Sequence, residues 1–169
     1  AKGLLCASIE DPNPVLFFEH KQLYRSVYQE VPDDYYTIPL GKAALLKQGE
    51  NVTIISYGAG VHWALSSIDK LKVSADLIDL RTLQPLDETC IYESVKKTGK
   101  VIILQEDSLF GGVASDISAL IGENCFEDLD APVIRIASPE MPIPFAKNLE
   151  ALYLPNERFE EALINLLEY

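Results

Sequence analysis

The sequence predicts an α/β domain with a largely parallel sheet, and three observations lead to that prediction. Apolar runs short enough to be buried strands alternate with segments whose apolar residues recur at helical spacing. The clearest unit is Val101–Leu104, an apolar run followed by a polar stretch, two glycines and the helical pattern of Val113–Cys125. Four such units follow one another, and consecutive strand–helix units form parallel strands joined by right-handed crossovers.

The first 37 residues do not follow this alternation, and we assign them to a separate unit. Ala1–Ile9 has the pattern of a helix end, which two prolines then terminate because proline lacks an N–H. Val15–Glu19 is a compact apolar run that predicts a buried strand without a sequential partner. Lys21–Thr37 mixes charged residues with tyrosines. We interpret it as an inter-domain linker whose tyrosines still pack against another part of the protein. One helix and one strand cannot enclose a core, so we expect residues 1–37 to belong to a domain missing from this chain.

Residues 38–169 form the second predicted domain, and each of its elements follows from local pattern. Strands are predicted at Val52–Tyr57, Ala75–Leu80, Val101–Leu104 and Val133–Ala137, with an additional edge strand within Leu40–Leu46. Helices are predicted at Val61–Leu71, Asp87–Lys97, Val113–Cys125 and Asn156–Glu168, with Asp87 and Asn156 as N-caps.

Composition excludes some classes of partner. The net charge is −12, so the chain has little with which to neutralise phosphates, and we expect no nucleic-acid partner. Such a charge favours either solubility or a basic protein partner. Cys6, Cys90 and Cys125 lie far apart without metal-ligand spacing, which predicts reduced thiols. No apolar run approaches eighteen residues, so no membrane span is predicted.

Two glycines resemble part of a dinucleotide-binding fingerprint. Gly58 and Gly60 follow a predicted strand and open a helix, and Asp79 ends the next strand about twenty residues later. The third glycine position holds Trp63, which would prevent the close helix–strand packing that a glycine permits there. We therefore favour a tight turn in a nucleotide-free domain, with a nucleotide site as the alternative.

The polar stretch Gln105–Gly112 precedes a helix, where an anion could bind. Glu106 and Asp107 would repel phosphate, so a cation, an amine or a basic side chain suits this turn better, with a solvated turn as the alternative. The two histidines, His20 and His62, lie in different units and neither completes a catalytic constellation. We expect this chain not to be an enzyme by itself.

Three further segments each allow two interpretations. Ser8–Asn13 is a helix end broken by proline, either a capped turn, which the residues alone favour, or a cation site built from freed carbonyls and Asp11. Pro139–Phe145 contains three prolines between apolar residues and is either an interface loop or a crossover packed on its own domain. The last helix carries Glu157, Glu160, Glu161, Glu168 and the Tyr169 carboxylate, either as a solvated face or as a docking surface for a basic module.

Several motifs in order resemble a known family. They are DPNPVLFFEHKQLYR, IPLGKA, VTIISYGAGVHWAL, LIDLRTLQPLD, KKTGKVIILQED with its following glycine pair, DAPVIRI and PEMPIPFAK. This order resembles the beta subunit, or the beta portion of a fused chain, of the thiamine-diphosphate-dependent decarboxylating component of 2-oxoacid dehydrogenase complexes. The resemblance implies that residues 38–169 are a three-layer α/β/α transketolase C-terminal-type domain, whose mostly parallel five-stranded sheet has one antiparallel edge strand. Residues 1–37 would be the tail of the pyrimidine-binding domain and a linker.

The same resemblance implies sites and partners. The parent enzyme would bind thiamine diphosphate and magnesium outside this chain, and a partial potassium site would include Ser8, Asp11 and Asn13. Its partners would be an alpha subunit or portion, a second beta chain, and the binding domain of the dihydrolipoyl acyltransferase. That binding domain would dock on the last helix, at Glu157, Glu160, Glu161 and Tyr169. The parent would act in the bacterial cytoplasm or the mitochondrial matrix. Its substrate would be pyruvate or a branched-chain 2-oxoacid. Many branched-chain members of the family have histidine at the position of Gln105. The C-terminal part of another transketolase relative, such as an acetoin-cleaving enzyme, is the alternative.

Overall fold

The computed structural model describes residues 1–169, and strands alternate with helices from Val52 to Ser138. The strands are β1 Ala44–Lys47, β2 Val52–Ser56, β3 Ala75–Asp79, β4 Val101–Ser108 and β5 Ile134–Ser138. The helices are α1 Lys2–Glu10, α2 Leu23–Ser26, α3 Ala59–Leu71, α4 Glu88–Thr98, α5 Val113–Asn124, α6 Lys147–Tyr153 and α7 Asn156–Leu167, with a 3₁₀ turn at Phe126–Asp128.

The five strands form one sheet in the order β1-β3-β2-β4-β5. The pairs β2–β3, β2–β4 and β4–β5 are parallel, and only β1 runs antiparallel, along β3. The predicted fold class is therefore confirmed, including the single antiparallel edge strand.

Two separate cores cover the two faces of the sheet. Ile54 and Leu77 point into the core on one side, with Phe159 from α7, whereas Ile55 and Ile78 point into the core on the other side, under α4 and α5. Successive strand residues point to opposite faces, so a strand that is apolar at every position has to be covered twice. Short unbroken apolar runs therefore indicate strands that are covered on both faces, as they are here.

The buried carboxylate of Asp76 stabilises the end of the sheet at which the parallel strands begin. Asp76 accepts hydrogen bonds from the Ser94 hydroxyl at 2.7 Å, the Lys97 ammonium at 2.6 Å and the Gly49 amide at 2.9 Å. The Thr53 hydroxyl lies 2.7 Å from that of Ser94, which joins β2 to the same network. The partners satisfy a charge that would otherwise be costly to bury.

Three local predictions are wrong. Val15–Glu19 is not a strand, because no neighbouring strand pairs with it, and its Leu16 side chain is 84% exposed. β4 does not end at Leu104 but continues through the polar residues to Ser108, which pairs with Ser138 beyond a register shift. Asn156 does not cap α7, since Pro155 occupies the N-cap position and the Asn156 Oδ1 atom has no hydrogen-bond partner. The short helices α2 and α6 were not predicted.

Candidate functional site

The sheet order creates a topological switch point between β2 and β4. From β2 the chain crosses to β3 on one side, and from β4 it crosses to β5 on the other. Ligands of open α/β sheets bind in the crevice at the carboxyl ends of such strands. Gly58 follows β2 here, and Gln105 to Gly112 form the end of β4 and the turn into α5. The structure thus places the fingerprint glycines and the acidic turn at the same edge of the sheet.

Protein atoms occupy the part of this crevice nearest the strands. The Ser56 hydroxyl donates to the Leu104 carbonyl at 2.9 Å, and a Cβ atom added at Gly60 would lie 2.3 Å from that hydroxyl oxygen. Gly60 therefore lets α3 approach the sheet. Asp79 accepts a hydrogen bond from the Arg81 amide at 3.1 Å, and burial raises the pKa of its carboxyl group. The residues of the suspected nucleotide fingerprint thus have packing and turn-forming contacts within the chain.

Gln105 organises the turn between β4 and α5. Its side chain is fully buried, and its Oε1 atom accepts from the Ala114 amide at 2.8 Å, in the first turn of α5. Its Nε2 atom donates to the Ser108 carbonyl at 2.5 Å. A Cβ atom at Gly112 would lie 2.0 Å from this nitrogen, so the glycine makes room for the amide. The sequence did not indicate this role, because a polar residue at a strand end gives no sign of which backbone groups it will meet.

Glu106 faces the amino-terminal segment. Its Oε2 atom lies 2.9 Å from the Nε2 atom of His20, a partner 86 positions away along the chain. Burial raises the pKa of the nearby Tyr57 hydroxyl, and the Asp107 and Glu106 carboxylates raise it further. The region therefore carries negative charge, and the His20 imidazole lies against it. His20 and Glu106 join two segments of the chain, with no nucleophile hydrogen-bonded to either.

The helix end at Ser8 to Asn13 presents oxygen atoms. Pro12 has no N–H, so it cannot donate the helical hydrogen bond to the Ser8 carbonyl. The Asp11 Oδ1 atom accepts from the Asn13 amide at 2.9 Å and from its side-chain nitrogen at 3.0 Å. A carbonyl without its helical donor, a carboxylate and a side-chain amide fit a hard cation, which takes oxygen ligands. No group of three or more His, Cys, Asp or Glu side chains is placed to hold a metal ion.

The acidic residues of α7 divide into two kinds. Glu157, Glu161 and Tyr169 are exposed. Glu160 instead accepts from the Lys70 ammonium at 2.7 Å and from the Ser67 hydroxyl at 3.1 Å. The hydrogen bond from Lys70 lowers the pKa of Glu160. Glu160 therefore links α7 to α3. The acidic surface of α7 that is free to bind a partner consequently lacks one of the carboxylates that the sequence analysis assigned to it. A shallow groove of about 260 Å³, lined by Pro132, Ile134, Ala162, Asn165, Leu166 and Tyr169, lies beside that surface.

The proline-rich loop after β5 exposes apolar side chains. Met141 is 55% exposed, Ile143 67%, and Phe145 fully. The Phe110 amide donates to the Glu140 carboxylate at 3.2 Å, which links this loop to the turn after β4. These three side chains do not pack on their own domain, and the interface role of the loop stays a prediction.

The transketolase C-terminal domain profile matches residues 41–158 of the chain. The chain belongs to the transketolase C-terminal domain family. The 2-oxoisovalerate dehydrogenase subunit beta of Bacillus subtilis is 44% identical over 100% of this chain and 53% of its own length. The pyruvate dehydrogenase E1 component subunit beta of the same organism is 45% identical, over 94% of this chain and 49% of its own length. The subunit beta of the acetoin:2,6-dichlorophenolindophenol oxidoreductase of Bacillus subtilis is 46% identical, over 92% of this chain and 46% of its own length.

A solved structure agrees with this family membership. The fold superposes on a split gene transketolase, solved as an inactive beta4 tetramer, with a TM-score of 0.67 and 26% identity over 83% of this chain and 46% of that one. The resemblance to the beta subunits of 2-oxoacid dehydrogenases is thus confirmed, and it holds over the alternative of a free-standing nucleotide-binding module. This transketolase-type chain spans about half the length of the curated relatives it matches. None of its helices is both long and apolar enough to cross a membrane.

Proposed function

We propose that this chain is the C-terminal part of the beta subunit, or of the beta portion of a fused chain, of a thiamine-diphosphate-dependent 2-oxoacid dehydrogenase. The observation that carries the proposal is the 44% identity to a 2-oxoisovalerate dehydrogenase beta subunit over the whole chain. The parent enzyme would decarboxylate a 2-oxoacid and pass the acyl group to a lipoyl-lysine. This chain would provide assembly and docking surfaces rather than reacting groups.

The cofactor would be bound elsewhere in the parent. The switch-point crevice does not fit a diphosphate, because Ser56 fills it below Gly60 and Glu106 and Asp107 stand at its mouth.

The domain division at residue 38 belongs to the same proposal. It is supported by the family profile, which begins at residue 41, and by the extended, unpaired and exposed run at Val15–Glu19. That run would be covered by the rest of a pyrimidine-binding domain.

A potassium ion would be held at the end of α1 in the parent. Ser8 through its carbonyl, Asp11 through its carboxylate and Asn13 would contribute ligands, and other parts of the parent would complete the set. The ion would supply positive charge at a helix end whose carbonyls lack donors, and so fix the turn that follows.

The partners would be an alpha subunit or portion, a second beta chain and the small basic binding domain of the dihydrolipoyl acyltransferase. The exposed Glu157 and Glu161 carboxylates, the exposed Tyr169 and the adjacent apolar groove support docking of the last of these. A charged rim around an apolar groove speeds association and fixes orientation. The compartment would be the bacterial cytoplasm or, in a eukaryote, the mitochondrial matrix.

The docking proposal is tested by charge reversal. We expect the double substitution Glu157→Lys/Glu161→Lys to weaken binding of the acyltransferase's binding domain by about 10-fold or more at low salt, measured by calorimetry. The difference should shrink at about 0.5 M salt, because exposed charges are screened. Glu93→Lys/Glu123→Lys is the matched control, since it also reverses two exposed acids, on α4 and α5, on the opposite face of the sheet. Equal affinities of the double variant and the control at low salt would contradict the docking role.

A second candidate function rests on the acetoin-cleaving relative. That beta subunit is as similar to this chain as the 2-oxoacid dehydrogenase subunits are. Turnover assays of the parent enzyme with pyruvate, branched-chain 2-oxoacids and acetoin would assign the substrate. Preference for acetoin over every 2-oxoacid would replace the first proposal with the second.

A further inference from the structure

Three backbone carbonyl groups surround the ammonium group of Lys2, at the start of α1. The Nζ atom of Lys2 donates to the carbonyls of Pro32, Asp33 and Asp34, at 2.5, 3.0 and 2.9 Å. An ammonium group has three donors, so these three carbonyls occupy all of them. The Nζ atom also lies 5.4 Å from the centroid of the Tyr36 ring, within the range of a cation–π contact. Residues 32–36 thus take the place of water around this charge.

Packing beside the ammonium group brings the same stretch close to the helix. A Cβ atom at Gly3 would lie 2.6 Å from the Tyr36 ring and 2.8 Å from the Ile38 side chain, so an alanine there would push both away from α1. The Gly3 carbonyl accepts from the Ile38 amide at 3.0 Å. The Tyr35 hydroxyl donates to the Glu10 carboxylate at 2.5 Å, so the stretch contacts both ends of α1.

The helix has little else to hold it. It is nine residues long, and Gly3 is its only buried residue. Isolated helices shorter than about 12 residues are marginal in water, so contacts outside the helix have to stabilise α1. The contacts with residues 32–38 are of that kind.

We propose that Lys2 holds residues 32–36 on α1 as a strap, which closes residues 12–31 into a loop tied at both ends. The acceptors are backbone carbonyls, so the strap depends on the Lys2 ammonium group and not on the side chains of residues 32–34. Because α1 is rigid, the strap also sets where its C-cap residue, Asp11, lies relative to the sheet. The loop can then move without carrying α1 away from the domain.

Chymotrypsin, which cleaves after aromatic residues, reports on the strap bond by bond. Tyr35 lies in the strap, Tyr28 lies in the loop and is 85% exposed, and Phe159 is fully buried in α7. Cleavage at a bond that opens and closes rapidly follows the population of its open form. Early cleavage products of the purified full chain are quantified by mass spectrometry, and each bond is compared between a variant and the unaltered chain. This comparison cancels the preference of the protease for flanking residues.

The main variant is Lys2→Met, which keeps the apolar part of the side chain and removes its charge. We expect cleavage after Tyr35 to rise about five- to twentyfold, as suits the loss of several hydrogen bonds to one partly exposed charge. Cleavage after Tyr28 should change less than about twofold, because that bond is already exposed. Cleavage after Phe159 should also change less than about twofold, because the core of the domain stays folded.

Two further substitutions assign the effect to the strap. Lys21→Met is the matched control, since Lys21 is an exposed lysine of the same segment without a side-chain hydrogen bond, and it should leave all three rates unchanged. Gly3→Ala keeps the lysine but displaces the Tyr36 ring, so it should raise cleavage after Tyr35 even though alanine favours helix.

Three results would overturn the proposal. They are unchanged cleavage after Tyr35 in Lys2→Met, an equal rise in Lys21→Met, and a rise after Phe159 as large as the rise after Tyr35. The last of these would mean that Lys2 stabilises the whole domain and not a local strap. If Lys2→Met does not fold, the same comparison of bonds in Gly3→Ala decides the question.

Discussion

Replacement of Gln105 by alanine should be among the most damaging single changes in the turn between β4 and α5. The substitution removes the acceptor for the Ala114 amide and the donor to the Ser108 carbonyl, at a fully buried position. A buried polar group left without its partner costs about 1–3 kcal/mol, and two groups are affected here. Gln105→Ala should therefore lower the free energy of unfolding by about 3 kcal/mol. That is a large share of the roughly 5–15 kcal/mol that stabilises a typical domain.

Urea denaturation followed by circular dichroism measures this loss. Gln48→Ala is the matched control, because Gln48 is an exposed glutamine without a side-chain hydrogen bond, and its loss should change stability by less than about 0.5 kcal/mol. A loss below about 1 kcal/mol for Gln105→Ala, with an unchanged dependence on urea concentration, would refute the view that this amide organises the turn.

Two further predictions concern Gly60, measured by urea denaturation, and Glu160, measured by thermal denaturation at different pH values. Gly60→Ala should lower stability by about 1–3 kcal/mol, because its Cβ atom would lie 2.3 Å from a serine hydroxyl, while Gly122→Ala, with open space in α5, should raise it by about 0.5–1 kcal/mol. Equal effects at the two glycines would contradict the packing role of Gly60. Glu160→Gln should lower the melting temperature at pH 7, and the deficit should shrink toward pH 3. The hydrogen bond from Lys70 lowers the pKa of this carboxyl, so its contribution is present above the unfolded-state pKa and lost as pH falls through the folded-state value. A deficit that stays constant with pH would point to packing instead of charge.

The sheet and its layers were predictable from the sequence because the signals for them are local. A strand buried on both faces is apolar at every position, and a helix that covers it shows apolar residues at helical spacing. The cap at Asp87 was predictable for the same reason, and its carboxylate accepts from the Cys90 amide at 3.5 Å. The edge strand was predicted within Leu40–Leu46, and β1 was found at Ala44–Lys47.

Predictions from local sequence pattern failed where contacts with a distant segment determine the structure. Val15–Glu19 has the composition of a strand, but a strand needs a neighbour, and none is within the chain. The residues after Leu104 are polar, yet they remain in β4 because β5 lies beside them. In the same way, Glu160 resembles the other acids of α7 in sequence, and only the position of Lys70 on α3 sets it apart.

By itself the sequence determined the fold class, the order of the helices and strands, and the family, since each rests on residue types at short spacing or on motifs in order. The tertiary structure decided the contacts on which the candidate site depends. It brought His20 to Glu106 across 86 positions, placed Gln105 against the backbone of α5, and filled the switch-point crevice with Ser56. Those contacts depend on distances between elements that are far apart along the chain, and composition and periodicity carry no information about such distances.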